Sequence, residues 1–180
     1  MSCCNTLTEI PQGCENNIGG VKKIYIINKC EVSGTTANGG IVVSAGTITT
    51  LDVDPGAAFV EYVFNKNTSS YVEDGTISLE NGSTFFSTTT SLMIPRREAA
   101  KRNSLALLAA GQPNLMVILE DGNGIYWLQG LDNGANLTAL GEGSGVAKAD
   151  GSKYSVTLLS EEPEMMYEVS STVMTSLGLI

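Results

Sequence analysis

The 180-residue sequence predicts a mainly β fold, strands joined by tight turns with one α-helix among them. Three observations predict it. Short apolar runs alternate with Asp-Gly, Asn-Gly and Pro-Gly pairs, the punctuation of strands and tight turns. Glycine is abundant at 20 residues, with many Thr and Ser. Only one stretch has the composition and flanks of a good helix. Hydrophobic residues make up 42% of the chain, enough to bury a core, so global disorder is not expected.

Residues 1–20 read as a polar N-terminal arm carrying Pro11 and Gly19-Gly20. Residues 21–28 (VKKIYIIN) read as a strand with Ile24 and Ile26 on one face and Tyr25 and Ile27 on the other. A loop of small residues fills 34–40. Residues 41–53 are strand-like but interrupted at Ala45-Gly46, which predicts a bulge or bend. Asp54-Pro55-Gly56 signals a turn, and 57–64 (AAFVEYVF) a strand with Val60, Tyr62 and Phe64 on one side. The clearest hairpin is 76–80, the Asn81-Gly82 turn, and 83–94; Asn-Gly suits a type I′ turn, whose central residues both need positive φ. Its return strand carries five consecutive hydroxyl residues, 87–91, which are good β-formers that bury little apolar area.

Pro95 closes that strand and the helix follows at 98–110, ending at Gly111 with Pro113 beyond; its second half is apolar and is expected to dock on the core. Residues 115–119 are apolar on both faces, as in a buried central strand. Asp121-Gly122-Asn123-Gly124 turns into 125–128. Asp150-Gly151 is expected to join 146–149 to 154–159, and 165–169 to form a last short strand. The expected organisation is an arm (1–20), one β domain (21–169) and a small-residue tail (170–180), with no internal repeat.

The chemistry of catalysis is missing from the pattern. There is no His, the commonest general base and metal ligand. Gly143-Ser144-Gly145 lacks the spacing of a nucleophile elbow. Asp52-Val53-Asp54-Pro55-Gly56 opens like a calcium loop, but the twelfth place holds Val63 rather than Glu. The pairs Glu73-Asp74, Glu120-Asp121 and Glu161-Glu162 point to opposite strand faces and do not converge. The expectation is therefore a chain that is not an enzyme and takes no cofactor or metal. Cys3, Cys4, Cys14 and Cys30 lack the paired spacing of a zinc cluster and read as free thiols, the alternative being a Cys14–Cys30 disulfide.

With 10 Lys plus Arg against 19 Asp plus Glu, the formal charge is −9. Such a surface should repel nucleic acid rather than bind it. Met1-Ser2-Cys3-Cys4 has no basic region and no apolar run follows, so synthesis in a cytoplasm is expected, with no membrane binding. One cluster goes against the acidic balance: Arg96, Arg97, Lys101 and Arg102 crowd the start of the helix, where positive charge opposes the dipole. Only Glu98 answers them locally. Two readings follow, a solvated helix end with intramolecular partners, or an inter-subunit interface that meets an acidic patch on the next copy.

The order of these motifs resembles the bacteriophage tail tube, or major tail protein, family. The resemblance is carried by SSYVEDGTISLENGSTFFSTTTSLMIPR, REAAKRNSLALLAAG, NLMVILEDGNGIYWLQG and GEGSGVAKADGSKYSVTLLSEEPE, while GCENNIGGVKKIYI resembles tail and neck proteins of phages of gut Bacteroidetes. It spans about residues 14–165 and has no catalytic signature. It implies an antiparallel β-sandwich or barrel with one flanking α-helix and a long projecting hairpin, in a virion structural protein whose copies close into a ring, a hexamer or higher. The rings would stack into a tail tube beside adjacent tail or neck proteins, with DNA passing through the lumen without adhering. On that analogy Glu61, Glu73, Asp74 and Glu80, bordering the two hairpins of the first half, are the lumen-lining candidates. The alternatives are a neck or ring protein of a short-tailed phage and an adhesin-like carbohydrate-binding β-sandwich. The last expects exposed aromatic platforms, whereas the single Trp, Trp127, falls in an apparent core strand.

Overall fold

Four consecutive apolar residues, Ile24, Tyr25, Ile26 and Ile27, lie in strand β1 (Val21–Asn28) and point alternately to its two faces. Such a strand must be covered on both sides, and it lies at the centre of the molecule. The computed structural model describes residues 9–10, 12–33 and 40–180. Cys3, Cys4, Pro11 and most of the expected 34–40 loop lie outside them.

The remaining elements are β2 (Ile41–Ser44), β3 (Thr47–Leu51), β4 (Val60–Glu61), β5 (Ser70–Ser78), β6 (Ser83–Pro95), helix α1 (Ala99–Gly111), β7 (Leu115–Asp121), β8 (Tyr126–Gln129), β9 (Ala135–Gly143), β10 (Lys153–Glu162), β11 (Tyr167–Val169) and the short helix α2 (Ser171–Ser176). The fold is mainly β, a sandwich with one flanking helix and a long hairpin projecting from it. Strand order runs β2-β3-β11-β8-β7-β9-β10-β6-β5, with β1 on the other side of β7 and β4 outside β1. Every pairing is antiparallel except β11 with β3.

The β1–β7 pair separates two cores. On one side Ile24, Ile26, Val117 and Leu119 meet Leu92 of β6, Val156 and Leu158 of β10, and Leu105 and Leu108 of α1. On the other, Tyr25, Ile27, Met116 and Ile118 meet Ile48, Leu51, Phe59, Leu128, and Val173 and Met174 of α2. The two layers join at a corner where β9 pairs with β7 at Ala135 opposite Leu115 and then diverges. The chain enters that corner at Gly130, with φ of 85°. A Cβ there would sit 2.6 Å from the Leu115 carbonyl oxygen, so only glycine fits.

Several local expectations differ from the structure. Ala45-Gly46 is a complete two-residue hairpin turn between β2 and β3, both residues at positive φ (51° and 82°), rather than a bulge within one strand. The β5–β6 connection is four residues, because Ser78 pairs with Ser83; Gly82 alone takes positive φ, and Leu79 and Glu80 belong to the tip. The 57–64 stretch is strand only at Val60–Glu61, where it pairs with β1; Val60 is exposed while Tyr62 and Phe64 lean on the first core.

Residues 146–149 are not a strand. The Asp150 carboxylate accepts from the Val146 and Ala147 N–H groups (2.9 and 2.8 Å) and closes a compact loop instead. Besides β6, β10 pairs with β9, whose sequence ANLTALGEG has almost no β-formers and is held by pairing rather than propensity. Residues 171–176 form α2, capped by the Ser170 hydroxyl, which accepts from the Val173 N–H (3.3 Å). In α1 the left-handed cap is Gln112 (φ 39°), one residue beyond Gly111.

The hydroxyl-rich β6 alternates cleanly. Thr88 and Thr90 face inward and are buried, continuing the row of Leu92 and Ile94. The Thr88 hydroxyl donates to Glu73 of β5 (3.5 Å), and the fully buried Gln129 of β8 bonds both residues from across the sandwich. Its amide donates to the Thr88 carbonyl (2.9 Å), and its oxygen accepts from the Thr90 hydroxyl (2.7 Å).

Candidate assembly surfaces

The long hairpin outruns the rest of the sandwich. β10 accompanies β6 only as far as Phe86, so residues 83–85 pair with β5 alone and the tip stands clear. Beyond that point Ile77, Leu79 and Phe85 are exposed, Leu79 at 94%. Fully burying one such side chain is worth about 1.5–3 kcal/mol, so leaving them in water is unfavourable unless something covers them. Among the described residues the outer edge of β5 also has no strand beside it. An open edge offers unpaired backbone groups to another chain, and an apolar tip beside it marks an interaction surface.

The four lumen candidates do not form one surface. Asp74 and Glu80 are exposed on the hairpin. Glu73, one residue from Asp74, faces inward and accepts from the Met166 N–H (2.7 Å), which pins the segment before β11 to β5. Glu61 is exposed on β4, at the far side of β1 and in the other layer.

The basic cluster is largely answered within the chain. Glu98, at the N-cap of α1, lies 2.9 Å from the Arg96 guanidinium and 3.9 Å from the Lys101 ammonium. Lys101 also donates to the Pro95 carbonyl (2.7 Å). Arg97 reaches Glu142 of β9 (2.8 Å) and lies over the Tyr154 ring. Arg102 is different. Its guanidinium donates to the Asn103 side chain (3.1 Å) and has no carboxylate within 4.0 Å among the described residues.

Arg102 stands at the end of an open trough between α1 and β9. The floor is one helix face, Leu105, Ala106, Ala109 and Ala110, and the far wall carries Leu140, 41% exposed. Alanines at this helical spacing leave room between helix and strand that larger side chains would fill.

Two further fixtures had no signal in the sequence. At the corner, Lys29 donates to the Leu131 carbonyl (2.5 Å) and the Asp132 carbonyl, while the Glu162 carboxylate accepts from the Asp132 and Asn133 N–H groups (3.0 and 3.1 Å). Burial pushes the Glu162 carboxyl above its ordinary range, against the pull of those N–H groups and Lys29. Burial lowers Lys29. At the base of the arm, Asn123 accepts from the Ile18 N–H (2.7 Å) and donates to the Asn17 side chain (3.1 Å). Residues 12–16 before this clasp are exposed.

Cys14 and Cys30 are both free and exposed, so the disulfide alternative is not formed here. Trp127 is half-buried against the first core, with its indole N–H 3.4 Å from the Asp121 carboxylate. Among the described residues no helix is long and apolar enough to cross a membrane, and no group of three or more His, Cys, Asp or Glu side chains is placed to hold a metal ion. No protein-family model and no curated protein matches the chain.

Proposed function

We propose that this chain is a phage virion structural protein that assembles with copies of itself into rings, the rings building a tail tube through which DNA passes. The observation that carries the proposal is the projecting β5–β6 hairpin, whose exposed Ile77, Leu79 and Phe85 have no cover among the described residues. Burying Ile77 and Leu79 in a neighbour is worth roughly 3–6 kcal/mol, enough to decide whether a subunit assembles. The charge of −9 agrees with a conduit, since an acidic wall does not hold the phosphate backbone. Asp74, exposed on the hairpin short of its tip, is the candidate best placed to supply it.

The test is negative-stain electron microscopy and sedimentation velocity of the purified chain. Hollow tubes or rings are expected, and the Ile77→Asp/Leu79→Asp variant should stay monomeric with an unchanged melting temperature. Long tubes favour a tail tube; isolated rings favour the neck or ring protein of a short-tailed phage. A wild-type chain that stays monomeric at high concentration would refute self-assembly.

A further inference from the structure

We propose that the hairpin tip of one copy seats in the α1–β9 trough of the next, with Leu79 on the alanine floor and Glu80 against Arg102. The inference rests on the self-assembly proposal and names its contact.

Three observations carry it. First, the trough asks for a ligand of definite chemistry, an apolar side chain with a carboxylate beside it. Ala106, Ala109, Ala110 and Leu140 offer an apolar bed, and Arg102 at its end has no carboxylate partner among the described residues. Glu142, the acidic residue of the lining, is already committed to Arg97. Second, the tip has that chemistry. Leu79 is the most exposed apolar residue of the hairpin and is followed at once by Glu80, which forms no ion pair among the described residues.

Third, the two surfaces lie at opposite ends of one strand. β6 begins beside the tip at Ser83 and ends at Pro95, just before α1. Its 13 residues span roughly 40 Å. A copy therefore cannot reach its own trough with its own tip. The contact joins unlike surfaces of two copies, head to tail, the geometry that propagates into rings or stacks rather than closing as a two-fold dimer. Withdrawing the Glu80–Arg102 pair from water beside apolar neighbours gives it orienting value beyond that of an exposed pair, fixing which end of a copy meets which.

The experiment is a charge-swap cycle on the full chain, read by sedimentation velocity and microscopy, with melting temperature as the check on folding. Glu80→Arg and Arg102→Glu should each weaken assembly by about tenfold or more, and the double swap should return it to within roughly threefold of wild type. Ala109→Trp, which fills the trough without touching any charge, should block assembly and leave the fold intact. Wild-type assembly indifferent to both single swaps and to Ala109→Trp overturns this contact while self-assembly stands. A wild-type chain that never assembles overturns both. Assembly indifferent to the tip but lost on deleting residues 1–16 assigns the trough to the arm and overturns the proposal.

Discussion

Removing the amide of Gln129 tests the polar link between the two layers. Gln129 is fully buried, and its side chain makes two hydrogen bonds, to the Thr90 hydroxyl at 2.7 Å and the Thr88 carbonyl at 2.9 Å. Gln129→Met keeps the volume and removes both. The loss leaves the buried Thr90 hydroxyl without its partner, which costs about 1–3 kcal/mol, with roughly another 0.5–1.5 for the second bond. The expected single-variant loss is therefore about 2–4 kcal/mol. Thr90→Val alone strands the Gln129 oxygen instead and should cost about 1–3 kcal/mol. The double variant replaces both ends by apolar groups of similar shape, so it should lose much less than the sum, with a coupling of about 1–2 kcal/mol. Urea unfolding followed by the fluorescence of Trp127, the single tryptophan, gives each number, at a concentration where the chain is monomeric. Strictly additive losses would refute the account of β6 as bonded across the sandwich.

The other predictions concern the corner between the layers. Gly130→Ala forces a Cβ to within 2.6 Å of the Leu115 carbonyl at positive φ, so it should destabilise by about 2–4 kcal/mol, whereas Gly151→Ala, also at positive φ but in open space, should cost only about 1 kcal/mol; equal losses in urea would remove the close approach as the cause. Glu162 has a folded pKa raised above the 4.5 of an unperturbed Glu, so its stabilising contribution is fully present below pH 4.5 and is lost as pH rises through the folded value. The Glu162→Gln variant has no proton to lose there. Its stability should improve relative to wild type between pH 4.5 and neutrality, and parallel urea midpoints across that window would contradict the assignment.

The central part of the fold was legible because its signals were strong and local. β1 and β7 show uninterrupted apolar residues on both faces, which only a doubly covered strand permits, and α1 is bounded by Glu98 and the Gly111–Pro113 stop. What the sequence hid was set by pairing at a distance. β9 is strand because β10 and β7 lie beside it, although Ala, Asn and Gly dominate it. The Asp150-Gly151 pair looks like a two-residue hairpin, but its carboxylate finds N–H groups three and four residues back and folds a longer loop. α2 is too short for helical periodicity to register, and the buried Val173 and Met174 hold it.

The candidate site divides in the same way. The basic cluster was visible as a run, but its partners were not, since Glu142 is distant in sequence and meets Arg97 only because β9 and β6 flank β10 in the sheet. Glu73 and Asp74 look alike in sequence, yet strand alternation sends one to the Met166 N–H and the other to solvent. The exposed tip residue Leu79 was hidden by a register of two. An Asn81-Gly82 turn would place it within the strand, and the four-residue connection puts it at the end.

Imaging the purified wild-type chain beside the Ile77→Asp/Leu79→Asp variant, at matched concentration and after both give the same melting temperature, bears most directly on the proposed role. Rings or tubes are expected for the first and monomers for the second. Wild-type protein that remains monomeric, or a variant that assembles as well as wild type, would contradict that role.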